Sequence, residues 1–178
     1  WGGDENESLS RKFVNQPSQE FTNWGHSQKD GGTPQADNDV DTIAPTITHD
    51  PVDTGIAGRD IPVHATITDN VDKEILAENA SVFYRKGTQT DYTEDVMSRI
   101  SIEEWNGVIP ADSVTVEGVD YYVWTIDSSN NIQTHGTKMS PNEVAVQETG
   151  PQIYVNEIMY DPADSEPEHE WVELYNGG

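Results

Sequence analysis

The sequence contains no cysteine, which excludes several kinds of chemistry at once. Without thiols the chain can form no disulfide bond, no thiolate metal site and no cysteine nucleophile. Long apolar runs are also lacking, since no stretch approaches the roughly 18 residues that a membrane-spanning helix needs. No secretion signal is recognisable where the chain opens on Trp1. We therefore expect no membrane span, and expect a mature piece or a fragment of a longer protein.

Basic residues are scarce: 9 lysines and arginines stand against 33 aspartates and glutamates, which gives a formal net charge of −24. Nucleic acids and anionic lipids are negatively charged, so the chain should repel both, and no nucleic-acid partner is expected. The composition suits dissolved cations, a salty medium or a cationic partner instead. Hydrophobic residues make up 33%, which is low for a compact domain, but the aromatic-rich strands argue against disorder along the whole chain.

Sustained helical periodicity is absent, and the strongest pattern is a β-hairpin at residues 119–134. Residues 119–126 alternate strictly between two faces and are mostly aromatic or β-branched, which is typical of a buried strand. Residues 127–131, Asp-Ser-Ser-Asn-Asn, favour a turn because Asn and Asp tolerate positive φ and cap their own backbone. Residues 132–135 then return as a partner strand.

Short strands at regular spacing surround this hairpin and predict an all-β fold, an Ig-like antiparallel β-sandwich over residues 44–148. The other predicted strands are residues 46–49, 61–68, 80–85, 92–97, 100–105, 108–110, 113–116 and 143–147. Glycines are expected in the turns between strands, at Gly55, Gly58, Gly87 and Gly107.

Alternation also predicts which side chains face the core. In the strand at 61–68, the apolar residues alternate with polar ones and should point inward; they are Ile61, Val63, Ala65 and Ile67. In the strand at 119–126 alternation alone leaves the inward face open. We expect Trp124 to be inside, because it is the largest apolar residue of that strand.

Aromatic residues permit a second interpretation. Trp105, Tyr92 and Trp124 could form a surface on which a carbohydrate stacks, but the same residues are equally suited to the core of a sandwich. A carbohydrate or another cell-surface molecule therefore stays a candidate partner.

The two ends of the chain differ from the central module. Residues 1–43 are polar and rich in turn formers, and they end in an acidic linker at 35–42. Residues 149–178 begin with a second short linker. Two alternating strands follow, at 153–160 and 170–175, with an acidic, proline-containing loop at 161–168 between them.

The C-terminal strands read Val-Asn-Glu-Ile-Met-Tyr-Asp-Pro at 155–162 and Glu-Trp-Val-Glu-Leu-Tyr-Asn at 170–176. This pairing resembles the opening of a prokaryotic lamin-tail domain, an Ig-like β-sandwich appended to secreted and cell-surface proteins. The N-terminal elements Ser-Leu-Ser-Arg at 8–11, Asn-Trp at 23–24 and Gly-Gly-Thr-Pro at 31–34 look like the end of such a domain. The middle strands are missing at both ends, so neither piece should fold alone as a complete sandwich.

The centre resembles the bacterial Ig-like or fibronectin type III-like modules of large extracellular proteins. The resemblance is carried by residues 45–51, 65–70, 82–85, 108–111 and 121–127. It implies the order lamin-tail end, Ig-like module, lamin-tail start, as in a window cut from alternating repeats.

Acidic and amide side chains at two strand ends suggest a metal site. The first group is Asp69, Asn70 and Asp72, and the second is Asp127, Asn130 and Asn131. Asp50 would join them if the first strand ended at the same pole. Ca²⁺ takes six to eight such oxygens in proteins, which makes it the expected cofactor. The spacing does not match an EF-hand loop, and Asp and Asn are also ordinary turn residues, so a calcium site and plain turn chemistry both remain open.

No catalytic constellation is recognisable, and we expect no enzyme. The acidic loop has no partner strand that would fix the separation of its carboxylates, as paired acid and base catalysis requires. Its Glu-His-Glu sequence at 168–170 is not the HExxH helix of zinc proteases. The five histidines are scattered without ligand spacing.

Together these features predict a non-catalytic structural, adhesion or assembly segment of a secreted or cell-surface prokaryotic protein. Its partners would be neighbouring copies or repeats, and exposed strand edges could join copies head to tail into filaments. A window cut from a longer repeat protein is an alternative to self-assembly. The alternative function is an accessory region of a secreted hydrolase, such as a nuclease or a phosphatase.

Overall fold

The computed structural model describes residues 8–70, 79–148, 153–159 and 170–177. Within these residues the chain is all-β, with fourteen strands and two short 3₁₀ turns, Phe21–Asn23 and Ala111–Ser113. The strands are β1 (Leu9–Arg11), β2 (Trp24–His26), β3 (Thr46–Thr48), β4 (Thr54–Ile56), β5 (Ile61–Thr68), β6 (Ala80–Lys86), β7 (Thr93–Val96), β8 (Ser98–Arg99), β9 (Glu104–Ile109), β10 (Val119–Ile126), β11 (Ile132–His135), β12 (Asn142–Gln147), β13 (Ile153–Met159) and β14 (Trp171–Asn176).

The central module is a β-sandwich, as the sequence predicts. One sheet has the strand order β3-β5-β9-β8, and the other has the order β4-β12-β10-β6-β7, with β11 paired to the end of β10. Neighbouring strands are antiparallel except β12 and β4, which run parallel. The apolar side chains of β5 and β9 pack against those of β6, β10 and β12 in one core.

Strand β5 confirms the predicted alternation. Its inward residues, Ile61, Val63, Ala65 and Ile67, are all buried, and the residues between them are exposed or partly exposed. The pattern was decisive here because one face of the strand is wholly apolar.

On β10 the prediction that Trp124 is inside is wrong. The opposite face points inward, and Tyr121, Val123 and Thr125 on that face are fully buried. Trp124 is only partly buried on the outer face, which it shares with Asp120. The charged Asp120 determines the orientation, because it pairs with Arg85 at 2.8 Å on the outer surface and would be costly to bury.

A single strand, β9, replaces the two strands predicted at 100–105 and 108–110, and Gly107 lies inside it rather than in a turn. The glycine is required for packing, since a Cβ atom there would lie 2.6 Å from Cγ2 of Val82 on the facing sheet. Two further predictions are wrong. Gly55, predicted in a turn, lies inside β4, and residues 113–116, predicted as a strand, form none.

The N-terminal segment, residues 8–43, contains a small antiparallel pair, β1 and β2, that is too short to show periodicity in the sequence. The side chain of Asn23 holds the loop between them, because it accepts a hydrogen bond from the amide of Phe13 and donates one to its carbonyl. The acidic linker ends inside the protein, where Val40 and Asp41 are buried.

The two C-terminal strands that alternation predicts pair with each other in an antiparallel hairpin, β13 with β14, which contains a bulge between Val155 and Glu157. Tyr160 and the acidic loop at 161–168 lie outside the described residues. Among the residues that the structure describes, no helix has the length and apolar character needed to cross a membrane.

Candidate metal centre

The turn between β10 and β11 directs the carboxylate of Asp127 into the protein. Its Oδ1 accepts a hydrogen bond from the backbone amide of Asn131 at 2.7 Å, and its Oδ2 accepts one from the Asn131 side-chain amide at 2.7 Å. Asn130 between them adopts φ = +64°, a left-handed conformation that asparagine tolerates. These contacts close the turn and leave Asp127 only 2% exposed.

Sheet polarity brings two more aspartates to this end of the sandwich. Strands β3 and β5 are antiparallel, with Thr46 opposite Thr68, so the chain entering β3 meets the chain leaving β5. Asp41 lies shortly before β3, and Asp69 directly follows β5. One carboxylate oxygen from each of Asp41, Asp69 and Asp127 lies within 4.8 Å of the other two. We call these three residues the aspartate cluster.

Asp41 is also buried in the aspartate cluster, with 4% of its surface exposed. Its Oδ1 accepts hydrogen bonds from the amide of Ile43 at 3.0 Å and from the side chain of Asn70 at 3.3 Å. Its Oδ2 is also buried, and no described residue donates a hydrogen bond to it. A buried carboxylate oxygen without a donor is costly, and it needs a proton, a water molecule or a cation.

One ammonium group lies beside the aspartate cluster. Nζ of Lys12 donates a hydrogen bond to Oδ1 of Asn131 at 2.6 Å. Burial lowers the pKa of Lys12, and the negative charges of Asp127 and Asp41 act in the opposite direction. Burial raises the pKa of Asp127, the hydrogen bonds from Asn131 act in the opposite direction, and the neighbouring Asp69 raises it further. Three carboxylates and one ammonium group thus lie close together at this end of the sandwich.

Some of the residues predicted as metal ligands come together here. Asp69 and Asp127 belong to the aspartate cluster. Asn70 donates a hydrogen bond to Asp41, and Asn131 donates to both Asp127 and the carbonyl of Asp41.

The other predicted ligands do not join the cluster. Asn130 faces the N-terminal segment instead, since its side chain donates a hydrogen bond to the carbonyl of Trp24 at 2.9 Å. Asp50 lies at the opposite end of β3, because the chain leaving that strand runs towards His64 in the middle of β5. Asp72 lies outside the described residues.

Asp41 was missed because its surroundings in the sequence read as a charged linker. The signal that could have found it is topological. The residues that precede a strand lie at the same pole as the residues that follow its antiparallel neighbour. Since 46–49 and 61–68 are neighbouring strands, the candidates at that pole were the residues before 46, rather than Asp50.

The aromatic residues considered as a carbohydrate platform do not form one surface. Trp105 is fully buried in the core, whereas Trp124 lies on the outer face of the other sheet. On that outer face, Phe83 stacks on Tyr122 with 5.0 Å between ring centroids, and Tyr92 meets the edge of Tyr122 at 5.1 Å. Phe83 and Tyr92 therefore cover the ring of Tyr122, which explains why Tyr122 is buried although it lies on the outer face.

The β13–β14 hairpin exposes apolar side chains on both faces. The register places one set of side chains on a common face, which we call the aliphatic face; it consists of Ile153, Val155, Ile158, Val172 and Leu174. Each of these residues is between 55% and 65% exposed. On the other face Tyr154 lies opposite Tyr175, and Glu157 lies opposite Glu173.

Comparison with models of known protein families gives no match, and no curated protein is significantly similar to the chain. Function is therefore inferred from the geometry and chemistry of the chain itself.

Proposed function

We propose that this chain is a non-catalytic structural segment of a secreted or cell-surface prokaryotic protein, and that its β13–β14 hairpin joins it to neighbouring copies. The observation that carries the proposal is the exposed aliphatic face of the hairpin. Five aliphatic side chains in one continuous patch, all more than half exposed, are typical of a surface that another chain covers.

The hairpin also lacks the support that two strands require. An isolated two-stranded hairpin is marginally stable in water, and both outer edges of this one are unpaired within the described residues. Edges of this kind accept further strands, and the added strand supplies backbone hydrogen bonds while its side chains cover one face.

We propose that the N-terminal segment of a neighbouring copy pairs with the hairpin and covers its aliphatic face. That segment also forms a sheet of only two strands, β1 and β2. Its loop exposes large apolar side chains, with Phe13 50%, Val14 72% and Phe21 64% exposed. The contact is head-to-tail, so repeated contacts produce open filaments unless the rotation between copies closes a ring.

The strand order supports an Ig-like identity for the central module. If β4 is counted with β3 as the first strand of the module, and β7 with β6 as the third, then β5, β8 and β9 are the second, fourth and fifth strands. The sheet β3-β5-β9-β8 then has the order first, second, fifth, fourth. This is the order of the ABED sheet of Ig domains. The module departs from antibody domains in having no cysteine pair. The lamin-tail identity of the two end pieces rests on the sequence resemblance and on the hairpin that the C-terminal piece forms.

The charge supports an extracellular setting. A formal net charge of −24 keeps a chain soluble where salt is high and cations are abundant, because the ions screen its self-repulsion.

Light scattering coupled to size exclusion, followed by electron microscopy, tests the assembly. The mass should rise with concentration, and elongated particles should appear. Leu174→Glu places a charge in the aliphatic face and should keep the chain monomeric. Val116→Glu introduces the same charge in a turn of the central module, at a side chain that is 58% exposed. This control variant should assemble like the wild type.

Monodisperse monomers of the wild type at high concentration would contradict the assembly. So would equal assembly of the Leu174→Glu and wild-type chains. In either case the aliphatic face would have to be covered by other parts of a longer protein.

A further inference from the structure

We propose that Asp41, Asp69 and Asp127 bind one calcium ion, which fastens the N-terminal segment to both sheets of the sandwich. The three carboxylate oxygens lie within 4.8 Å of one another. Calcium–oxygen distances are about 2.3–2.6 Å, so two oxygens on one ion lie at most about 5 Å apart. All three oxygens can therefore contact the same ion.

Charge is the first argument for a cation at this position. Bringing three carboxylates together costs free energy, because like charges repel strongly where water is largely excluded. The ammonium group of Lys12 lies beside the cluster and donates to Asn131. A divalent cation among the three carboxylates would replace this repulsion by attraction.

The orphaned oxygen of Asp41 is the second, independent argument. Oδ2 of Asp41 is buried and receives no hydrogen bond from any residue that the structure describes. Oδ1 of the same carboxylate has two donors, Ile43 and Asn70, which fix its orientation. The side chain is thus held rigidly with one oxygen unsatisfied, which is the arrangement that a metal ligand requires.

Hard oxygen donors in an irregular set favour calcium over magnesium. Magnesium demands nearly ideal octahedral geometry and gives up its water reluctantly, whereas calcium accepts six to eight oxygens in flexible arrangements. Carboxylates that bind through two oxygens, together with water molecules, would complete the coordination.

The consequence of binding follows from where the ligands lie. Asp41 belongs to the N-terminal segment, Asp69 follows β5 in one sheet, and Asp127 follows β10 in the other sheet. Direct contacts at the same junction include hydrogen bonds from Asn130 to the Trp24 carbonyl and from Lys12 to Asn131. One ion therefore cross-links three parts of the chain and stiffens the junction in the presence of calcium.

Isothermal titration calorimetry of the whole chain with CaCl₂, after treatment with a chelator, tests the proposal. One ion should bind per chain, and MgCl₂ should bind at least tenfold more weakly. The melting temperature should rise in calcium and not in NaCl of equal ionic strength, because only specific binding follows mass action. Amide exchange of the N-terminal segment should slow when calcium is added.

Asp41→Asn is the decisive variant, since it keeps the shape of the side chain and its Oδ1 acceptor. It should weaken calcium binding at least tenfold. Without calcium it should melt at a higher temperature than the wild type, because a repelling charge has been removed. Asp37→Asn and Asp50→Asn remove the same charge from exposed positions and should bind calcium within twofold of the wild type.

Three results would overturn the proposal: no heat of binding, an equal response of the melting temperature to CaCl₂ and NaCl, or Asp41→Asn binding calcium as the wild type does. Equal affinity for magnesium would overturn the assignment to calcium. None of these results depends on assembly through the hairpin, because light scattering tests that assembly separately.

Discussion

Nε2 of His49 and the hydroxyl of Tyr121 form a hydrogen bond 2.8 Å long inside the sandwich. The Tyr121 hydroxyl also accepts a hydrogen bond from the amide of Val52 at 2.8 Å. Nδ1 of His49 in turn donates to the carbonyl of His64. Because Nδ1 faces a carbonyl, it carries the proton of the neutral ring, and Nε2 accepts the proton of the Tyr121 hydroxyl. His49 and the Tyr121 hydroxyl then each donate one hydrogen bond and accept one when His49 is neutral. The network ties β3 to β5 in one sheet and to β10 in the other.

The first prediction is that acid destabilises the fold through His49. Burial lowers its pKa, and the adjacent His135 lowers it further, whereas the His64 carbonyl and Asp50 act in the opposite direction. The unfolded chain therefore binds this proton more readily, and the free energy of unfolding should fall as the pH drops below about 6.5. Urea denaturation between pH 5 and pH 8 measures the effect.

The exposed His64 supplies the control. Its pKa is raised, chiefly by the hydrogen bond to Asn106, with Glu104 contributing. A raised pKa stabilises the fold below about pH 6.5, and this contribution is lost as the pH rises. His64→Gln should therefore make the acid loss steeper. His49→Gln should make it shallower, and an unchanged slope in that variant would contradict the role of His49.

The second prediction compares two tryptophans. Trp105 is fully buried between the sheets, so Trp105→Ala should reduce the free energy of unfolding by about 3–5 kcal/mol. Trp124 is partly buried on the outer face and meets the edge of Phe83 at 6.4 Å. Trp124→Ala should cost about 1–2 kcal/mol. Urea denaturation of the two variants decides, and equal losses would disagree with the assigned orientation of β10.

The third prediction concerns the close approach of the sheets at Gly107. A Cβ atom there would lie 2.6 Å from Cγ2 and 3.4 Å from Cβ of Val82. Gly107→Ala should therefore destabilise the fold by about 1–3 kcal/mol through overpacking. The double variant with Val82→Ala should recover part of that loss, so the two changes should not be additive. Strict additivity in urea denaturation would place the cause elsewhere than in this contact.

Sequence reasoning worked where one local pattern determined the structure. The alternation at 61–68 defined both the bounds and the inward face of β5, because a wholly apolar face has only one stable orientation. Sequence reasoning failed where the cause of a residue's placement lies on the facing sheet. Gly107 reads as a turn residue locally, and only the position of Val82 explains a glycine inside a strand. Similarly, the size of Trp124 favours the core, whereas the charge of Asp120 on the same face favours the outer surface, and the structure follows the charge.

The aspartate cluster could be predicted only in part for a related reason. Asp69 and Asp127 follow strands that the sequence pattern locates correctly, so the sequence predicts both as ligands. Asp41 belongs to a stretch without periodicity, and its burial results from packing against the rest of the chain. Val40 beside it lies close to Gly25, where a Cβ atom would come within 2.5 Å of Val40 Cγ1. A contact between residues so far apart in the chain leaves no local signal in the sequence.

The fourth prediction separates two roles of Asn130, which adopts φ = +64° and donates a hydrogen bond to the Trp24 carbonyl. Asn130→Gly keeps the left-handed conformation and loses the hydrogen bond, whereas Asn130→Ala loses both. The alanine variant should therefore be less stable than the glycine variant by about 1 kcal/mol in urea denaturation. Amide exchange at β2 should accelerate equally in both variants, because each releases the N-terminal segment from the hairpin turn. Unchanged exchange at β2 in both would mean that the other contacts of the junction, Lys12 with Asn131 among them, hold that segment without Asn130.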